Sequence, residues 1–176
     1  MMYPDTGSNV MELERKLKII INERRIFLSR IGAKKGALLD VAREHPDEKI
    51  IVFSESIDSI EELREYLVRN GVPAETYHSG KSEYEMTRIF SECGRGFNVL
   101  LAVRALDEGV DVPEVKIGVV VASGQSVRQL VQRKGRIMRP REGKQAKLYV
   151  IYAQDSVEFQ LITKINAILK SLIRLY

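Results

Sequence analysis

At 176 residues, 44% of them hydrophobic, the chain is long enough to bury a core and short for two full domains. Its formal charge of +4 is uneven, with eight Arg or Lys against Glu142 alone in residues 124–147 and 20 bases against 23 acids elsewhere. That basic focus on a near-neutral body suits a polyanion, either nucleotide phosphate or nucleic acid, better than a membrane surface.

Cys93 is the single cysteine, and His45 and His78 lie far apart, so the composition excludes an internal disulfide and argues against a zinc site. No apolar run approaches the ~18 residues of a membrane span, and the charged N-terminal stretch does not read as a signal peptide. A cytoplasmic protein with no membrane partner is expected.

Taken in order, residues 1–9 (MMYPDTGSN) are polar and turn-rich and predict a flexible N-terminus. From Val10, apolar residues at three- and four-residue spacing (Leu13, Leu17, Ile20, Phe27, Ile31) predict a helix that Gly32 stops. A second helix is predicted over Lys35–Glu44, and residues 10–46 together read as a helical arm or linker. After Pro46 the pattern changes to short apolar runs alternating with amphipathic helices. Strands are predicted at Lys49–Phe53, Ala74–His78, Asn98–Val103, Lys116–Ala122 and Lys147–Tyr152, with helices at Ser56–Asn70 and Ser82–Cys93. Residues 155–176 carry a last amphipathic stripe, read as a C-terminal helix packed on the domain at 47–154.

Near-continuous apolar strands separated by helices predict an α/β fold: a doubly wound, mostly parallel sheet with helices on both faces, plus the N-terminal arm and the C-terminal helix. In such a sheet ligands gather at the carboxyl ends of the strands. The loops starting at Ser54, Ser79, Val103 and Ser123 should therefore carry the function.

Two of those loops stand out. In SGQSVRQLVQRKGRIMRPR (Ser123–Arg141), helical winding puts Gln132, Arg133, Arg136 and Arg139 within a sector of roughly 120°. Val127, Leu130, Val131, Ile137 and Met138 take the opposite side. One face can pack on a core while the other aims guanidiniums at a polyphosphate. In the loop after the third strand, Gly109 permits a tight turn and Asp111 offers a carboxylate that could accept hydrogen bonds from sugar hydroxyls.

The succession IVFSES, YHSG, VLLAVRALDEGVDVP and SVRQLVQRKGRIMRP resembles motifs IV, V and VI of the second RecA-like domain of superfamily 2 helicases and translocases, over Lys49–Tyr152. With Gln132 leading the last motif, the string is most similar to DNA-repair helicases of the xeroderma pigmentosum group B type. The resemblance implies that Arg136 and Arg139 are arginine fingers for the γ-phosphate of ATP on a neighbouring domain, with Gln132 helping to place them. It implies that Gly109 and Asp111 meet the ribose and couple the two domains, and that Arg133 either joins them or holds the helix through acids of its own domain. It also implies contact with the sugar-phosphate backbone of DNA at Ser54, Glu55, His78, Gly80 and Arg104. Val103 stands where a threonine is usual in motif V, which moves the strand contact there to backbone amides or Arg104.

Nothing matches the phosphate-cradling Gly-x-x-x-x-Gly-Lys-Ser/Thr loop. ATP and Mg²⁺ are therefore expected mainly on an upstream RecA-like domain, and this chain alone is expected to be inactive as an ATPase. With no Trp and no evident aromatic platform, backbone tracking is expected rather than reading of base sequence. A different class of function, a stand-alone basic module that binds or anneals nucleic acid without turnover, also accounts for the basic cluster.

Overall fold

The structure is a computed structural model and describes residues 6–29, 32–103, 115–121, 147–154, 156–160 and 163. Five strands form one sheet: β1 (Ile50–Ser54), β2 (Ala74–Tyr77), β3 (Val99–Val103), β4 (Ile117–Val121) and β5 (Lys147–Ile151). Their order is β2-β3-β1-β4-β5 and every pairing is parallel. The sheet, expected to be mostly parallel, is wholly so over these strands.

Burial follows position in the sheet. All five residues of β1, at the centre, and of its neighbour β4 are buried, which is why both read as unbroken apolar runs. Edge strand β5 opens with exposed Lys147 and buries only Ile151.

Helices cover both faces. Ile50, Val52, Val99, Leu101, Val119 and Val121 pack in one cluster with Leu38, Leu39 and Ala42 of α2 (Gly32–Glu44) and Ile60, Leu63 and Leu67 of α3 (Ile57–Arg69). Strand alternation sends Leu100 to the other face, where it meets Ile89 of α4 (Glu83–Glu92), Cys93 and Phe97. The doubly wound arrangement thus follows from central strands that are buried along their whole length and helices apolar on one stripe.

The helix ends are set by local chemistry. Ser56 caps α3 by accepting from the Ser59 amide, and Ser82 and Glu85 form a reciprocal capping box at α4. Glu85 accepts from both the amide and the hydroxyl of Ser82, which holds its carboxyl below the usual range. Gly71, at φ +81°, turns the chain out of α3 into β2, a backbone conformation that a side chain would strain.

The N-terminal part differs from expectation in two ways. The first helix, α1, runs Thr6–Ser29 and so takes in Thr6–Asn9, which the sequence assigned to a flexible tail. Once a helix is nucleated, adding residues costs little, and weak formers at its start extend it. The second difference concerns α2, grouped with the arm by sequence, whose Leu38, Leu39, Val41 and Ala42 are core residues of the sheet. By contrast Leu13, Leu17, Ile20 and Phe27 on α1 remain more than half exposed. Of the predicted C-terminal helix, the described part is helical over residues 157–160 and at 163, and Glu158 within it is fully buried.

Candidate nucleic-acid interface

Because the strands are parallel, their carboxyl ends share one rim. Ser54 pairs with Val103, Tyr77 with Ala102, and Phe53 with Val120, so β1, β2, β3 and β4 end within about one residue of the same level. From β1 the chain goes on to β2 on one side of the sheet, whereas from the adjacent β4 it goes on to β5 on the other. Neighbouring strands whose connections part in this way open a crevice at their carboxyl ends.

The described rim residues are held by their own domain. Ser54 is 1% exposed and its hydroxyl shares a hydrogen bond with that of Ser59 at 2.8 Å, so burial closes it off from the surface. Glu55 is half-buried just beyond it. At the end of β2, the His78 carbonyl accepts from the Lys81 amide at 3.1 Å, closing a turn with exposed Ser79 and Gly80 at its tip.

The His78 ring folds back over that turn. The Gly80 amide donates to His78 Nδ1 at 3.1 Å, and a Cβ on Gly80 would meet the ring at 3.0 Å, so glycine lets the imidazole lie close. Since Nδ1 accepts, the proton of the neutral ring is on Nε2, which donates to Glu61 Oε1 at 3.1 Å. Glu61 Oε1 also accepts from the hydroxyl of Thr76 at 2.7 Å. Both ring nitrogens of His78 are thereby occupied within the domain.

Glu61 was not among the residues singled out from the sequence. The available signal was Thr76, a polar residue inside the strand AETY that proves fully buried and so requires a partner for its hydroxyl. The partner lies on α3, fifteen residues earlier, a pairing that no local pattern specifies.

The remaining candidates, Arg104, Gly109, Asp111, Gln132, Arg133, Arg136 and Arg139, lie outside the described residues. The segments that hold them depart from Val103 and Val121, the rim ends of β3 and β4. Away from the rim, Cys93 is buried under α4, which pushes its thiol up and makes it a packing residue. Among the described residues, no group of His, Cys, Asp and Glu is arranged to hold a metal, and no helix is long and apolar enough to cross a membrane.

Comparison with known proteins matches residues 33–141 to the helicase conserved C-terminal domain. The chain is 31% identical over 130 residues to the DNA 3'-5' translocase XPB2 of Sulfurisphaera tokodaii, covering 73% of this chain and 28% of that protein. It is 32% identical over 137 residues to UvrABC system protein B of Mannheimia succiniciproducens, covering 73% and 20%. Among solved structures, the Hef helicase domain of Pyrococcus furiosus superposes with a TM-score of 0.59 at 27% identity, over 74% of this chain and 28% of that one. The chain thus spans between a fifth and just over a quarter of the length of these relatives.

Proposed function

The chain belongs to the family of helicase conserved C-terminal domains, and from that premise we propose that it is the C-terminal half of an ATP-dependent DNA helicase or translocase serving DNA repair. In this reading a first RecA-like domain carries the phosphate loop and most of the ATP and Mg²⁺ contacts. Arg136 and Arg139 reach across to the γ-phosphate, Gln132 helps to place them, and Gly109, Asp111 and Arg133 serve the nucleotide side of the cleft. Arginine suits the task because charge builds on the departing phosphoryl oxygens and a rigid forked cation matches it better than lysine. Gln132, Arg136 and Arg139 supply hydrogen-bond donors and no carboxylate, a set suited to phosphate oxygens and not to Mg²⁺, so the metal falls to the other domain.

The observation that carries this reading is the common rim. β3 and β4, from which the two motif-bearing segments depart, end level with β1 and β2. The DNA backbone then lies along Glu55, the Ser79–Gly80 turn and Arg104, with Ser54 and His78 behind the surface. The name of one relative, a DNA 3'-5' translocase, supports the choice of DNA. ATP binding draws the two domains together and hydrolysis releases them, so the rim grips the strand in one state and slips in the other.

The test pairs the chain with its phosphate-loop domain and changes Arg136→Ala. ATP hydrolysis should fall by about a thousand-fold or more, with DNA affinity nearly unchanged. Unchanged hydrolysis together with weaker DNA binding and a shallower salt dependence would favour the stand-alone basic module instead.

A further inference from the structure

We infer that Glu61 is a positioning residue for the strand contact at the rim: through His78 it sets the shape of the Ser79–Gly80 turn that meets a backbone phosphate. The inference rests on the proposed nucleic-acid reading and deepens it. His78 Nδ1 can accept from the Gly80 amide only while the ring proton stays on Nε2. Glu61 Oε1, 3.1 Å from Nε2, is the acceptor that holds it there. Were Glu61 absent, the ring could carry its proton on Nδ1, and two N–H groups would then face each other across the turn.

Thr76 fixes the carboxylate in its turn. Its buried hydroxyl donates to the same Oε1 at 2.7 Å, tying α3 to β2 where the turn begins. The far end of the turn is clamped separately. Lys81 Nζ lies 3.6 Å from Glu75 Oε2, and Glu75 also pairs with Arg64 at 3.3 Å. Two carboxylates thus hold the two ends of one turn, and neither has to satisfy both.

This arrangement decides which group meets the phosphate. The Gly80 amide and both nitrogens of His78 are engaged internally, whereas Ser79 at the tip is exposed. The Ser79 hydroxyl is therefore the donor presented to a phosphate oxygen, and Glu61, which never touches the strand, governs its placement. A negative charge beside a nucleic-acid track is otherwise unfavourable, and tautomer selection gives a reason for its presence.

The experiment measures binding of fluorescein-labelled oligothymidine by anisotropy, at a temperature where every variant is folded by circular dichroism. Glu61→Ala should weaken binding about five-fold, the scale of one lost neutral hydrogen bond. Glu61→Gln keeps an acceptor for Thr76 and for Nε2–H and should restore most of the affinity. His78→Ala should cost a similar factor, and the double variant no more than the larger single one, because the two act in series. Nitrogen-15 spectra of the imidazole should show the Nε2–H form in the wild type and its loss in Glu61→Ala. Wild-type binding with unchanged affinity in folded Glu61→Ala, or losses that add in the double variant, would overturn the positioning role and leave the nucleic-acid reading intact. Failure of the wild type to bind would overturn that reading, and this inference with it.

Discussion

Lys34 of α2 and Glu158 after β5 form an ion pair whose side chains are 2% and 0% exposed. Lys34 Nζ lies 2.8 Å from each carboxylate oxygen, and Glu158 Oε2 also accepts from the Ala153 amide at 2.7 Å. Removing the ammonium leaves the Glu158 carboxylate buried without that counter-charge, so Lys34→Met should cost about 3 to 5 kcal/mol. At about 2 to 4 °C per kcal/mol for a chain of this size, that is a fall of about 6 to 20 °C in melting temperature. The double Met variant should recover part of this, since an apolar pair of similar volume offsets the lost attraction. It should still fall short by about 1 to 3 kcal/mol, because the Ala153 amide loses its acceptor.

The pair also has a signature in pH. Burial lowers the Lys34 pKa below the ordinary 10.5, and the hydrogen bond and charge of Glu158 oppose but do not cancel that shift. Just below pH 10.5 the unfolded chain therefore holds this proton more firmly than the folded one. Stability relative to Lys34→Met should accordingly rise with pH in that window. Urea denaturation followed by circular dichroism measures both effects. A cost below 1 kcal/mol for Lys34→Met, about what a surface pair contributes, would show that Glu158 is not docked against α2 and would refute the reasoning.

Three further outcomes follow from particular residues. Gly71→Ala, at φ +81° with nothing within 4 Å of the added Cβ, should cost about 1 to 2 kcal/mol from backbone strain alone; no loss in denaturation experiments would contradict the left-handed turn. Glu85 contributes its stability above its unfolded value near 4.5 and loses it as pH falls through the lower folded value. Glu85→Gln should therefore flatten the acid limb of the stability profile, and an unchanged limb would count against the capping box. The Cys93 thiol, 4% exposed, should react with iodoacetamide only after denaturation; rapid labelling of the folded chain would show that α4 does not cover it.

The elements themselves were legible because each has a local cause. The predicted strand Lys49–Phe53 and the observed Ile50–Ser54 differ by one residue at each end. The predicted helix ends Ser56 and Asn70 are the caps of α3, since the residues that stop a helix are also those that stand out in the sequence. Strand order was not legible at that level, because it depends on which apolar run is covered on both sides and not on any run alone. α2 was misgrouped for a related reason: GAKKGALLDVARE has a short apolar stripe, and its burial depends on contacts with α3 and the sheet. Lys34 finds its partner 124 residues away, a pairing that no local pattern specifies.

At the rim, the position of the loops after β1 and β2 followed from the parallel sheet, but the roles within them did not. Ser54 and His78 were read as surface contacts from their place in the chain. Their hydroxyl and ring nitrogens are taken up by Ser59, Gly80 and Glu61, partners that only the fold brings near.

The most direct measurement of the central claim, that nucleic acid follows the carboxyl rim of the sheet, is site-specific photocrosslinking to single-stranded DNA. A photoreactive residue is placed either at exposed Ser79 on that rim or at exposed Arg95, in the turn leading to the amino end of β3. Crosslinks are expected from position 79 and none from position 95. Crosslinks from position 95 with none from 79 would contradict that claim.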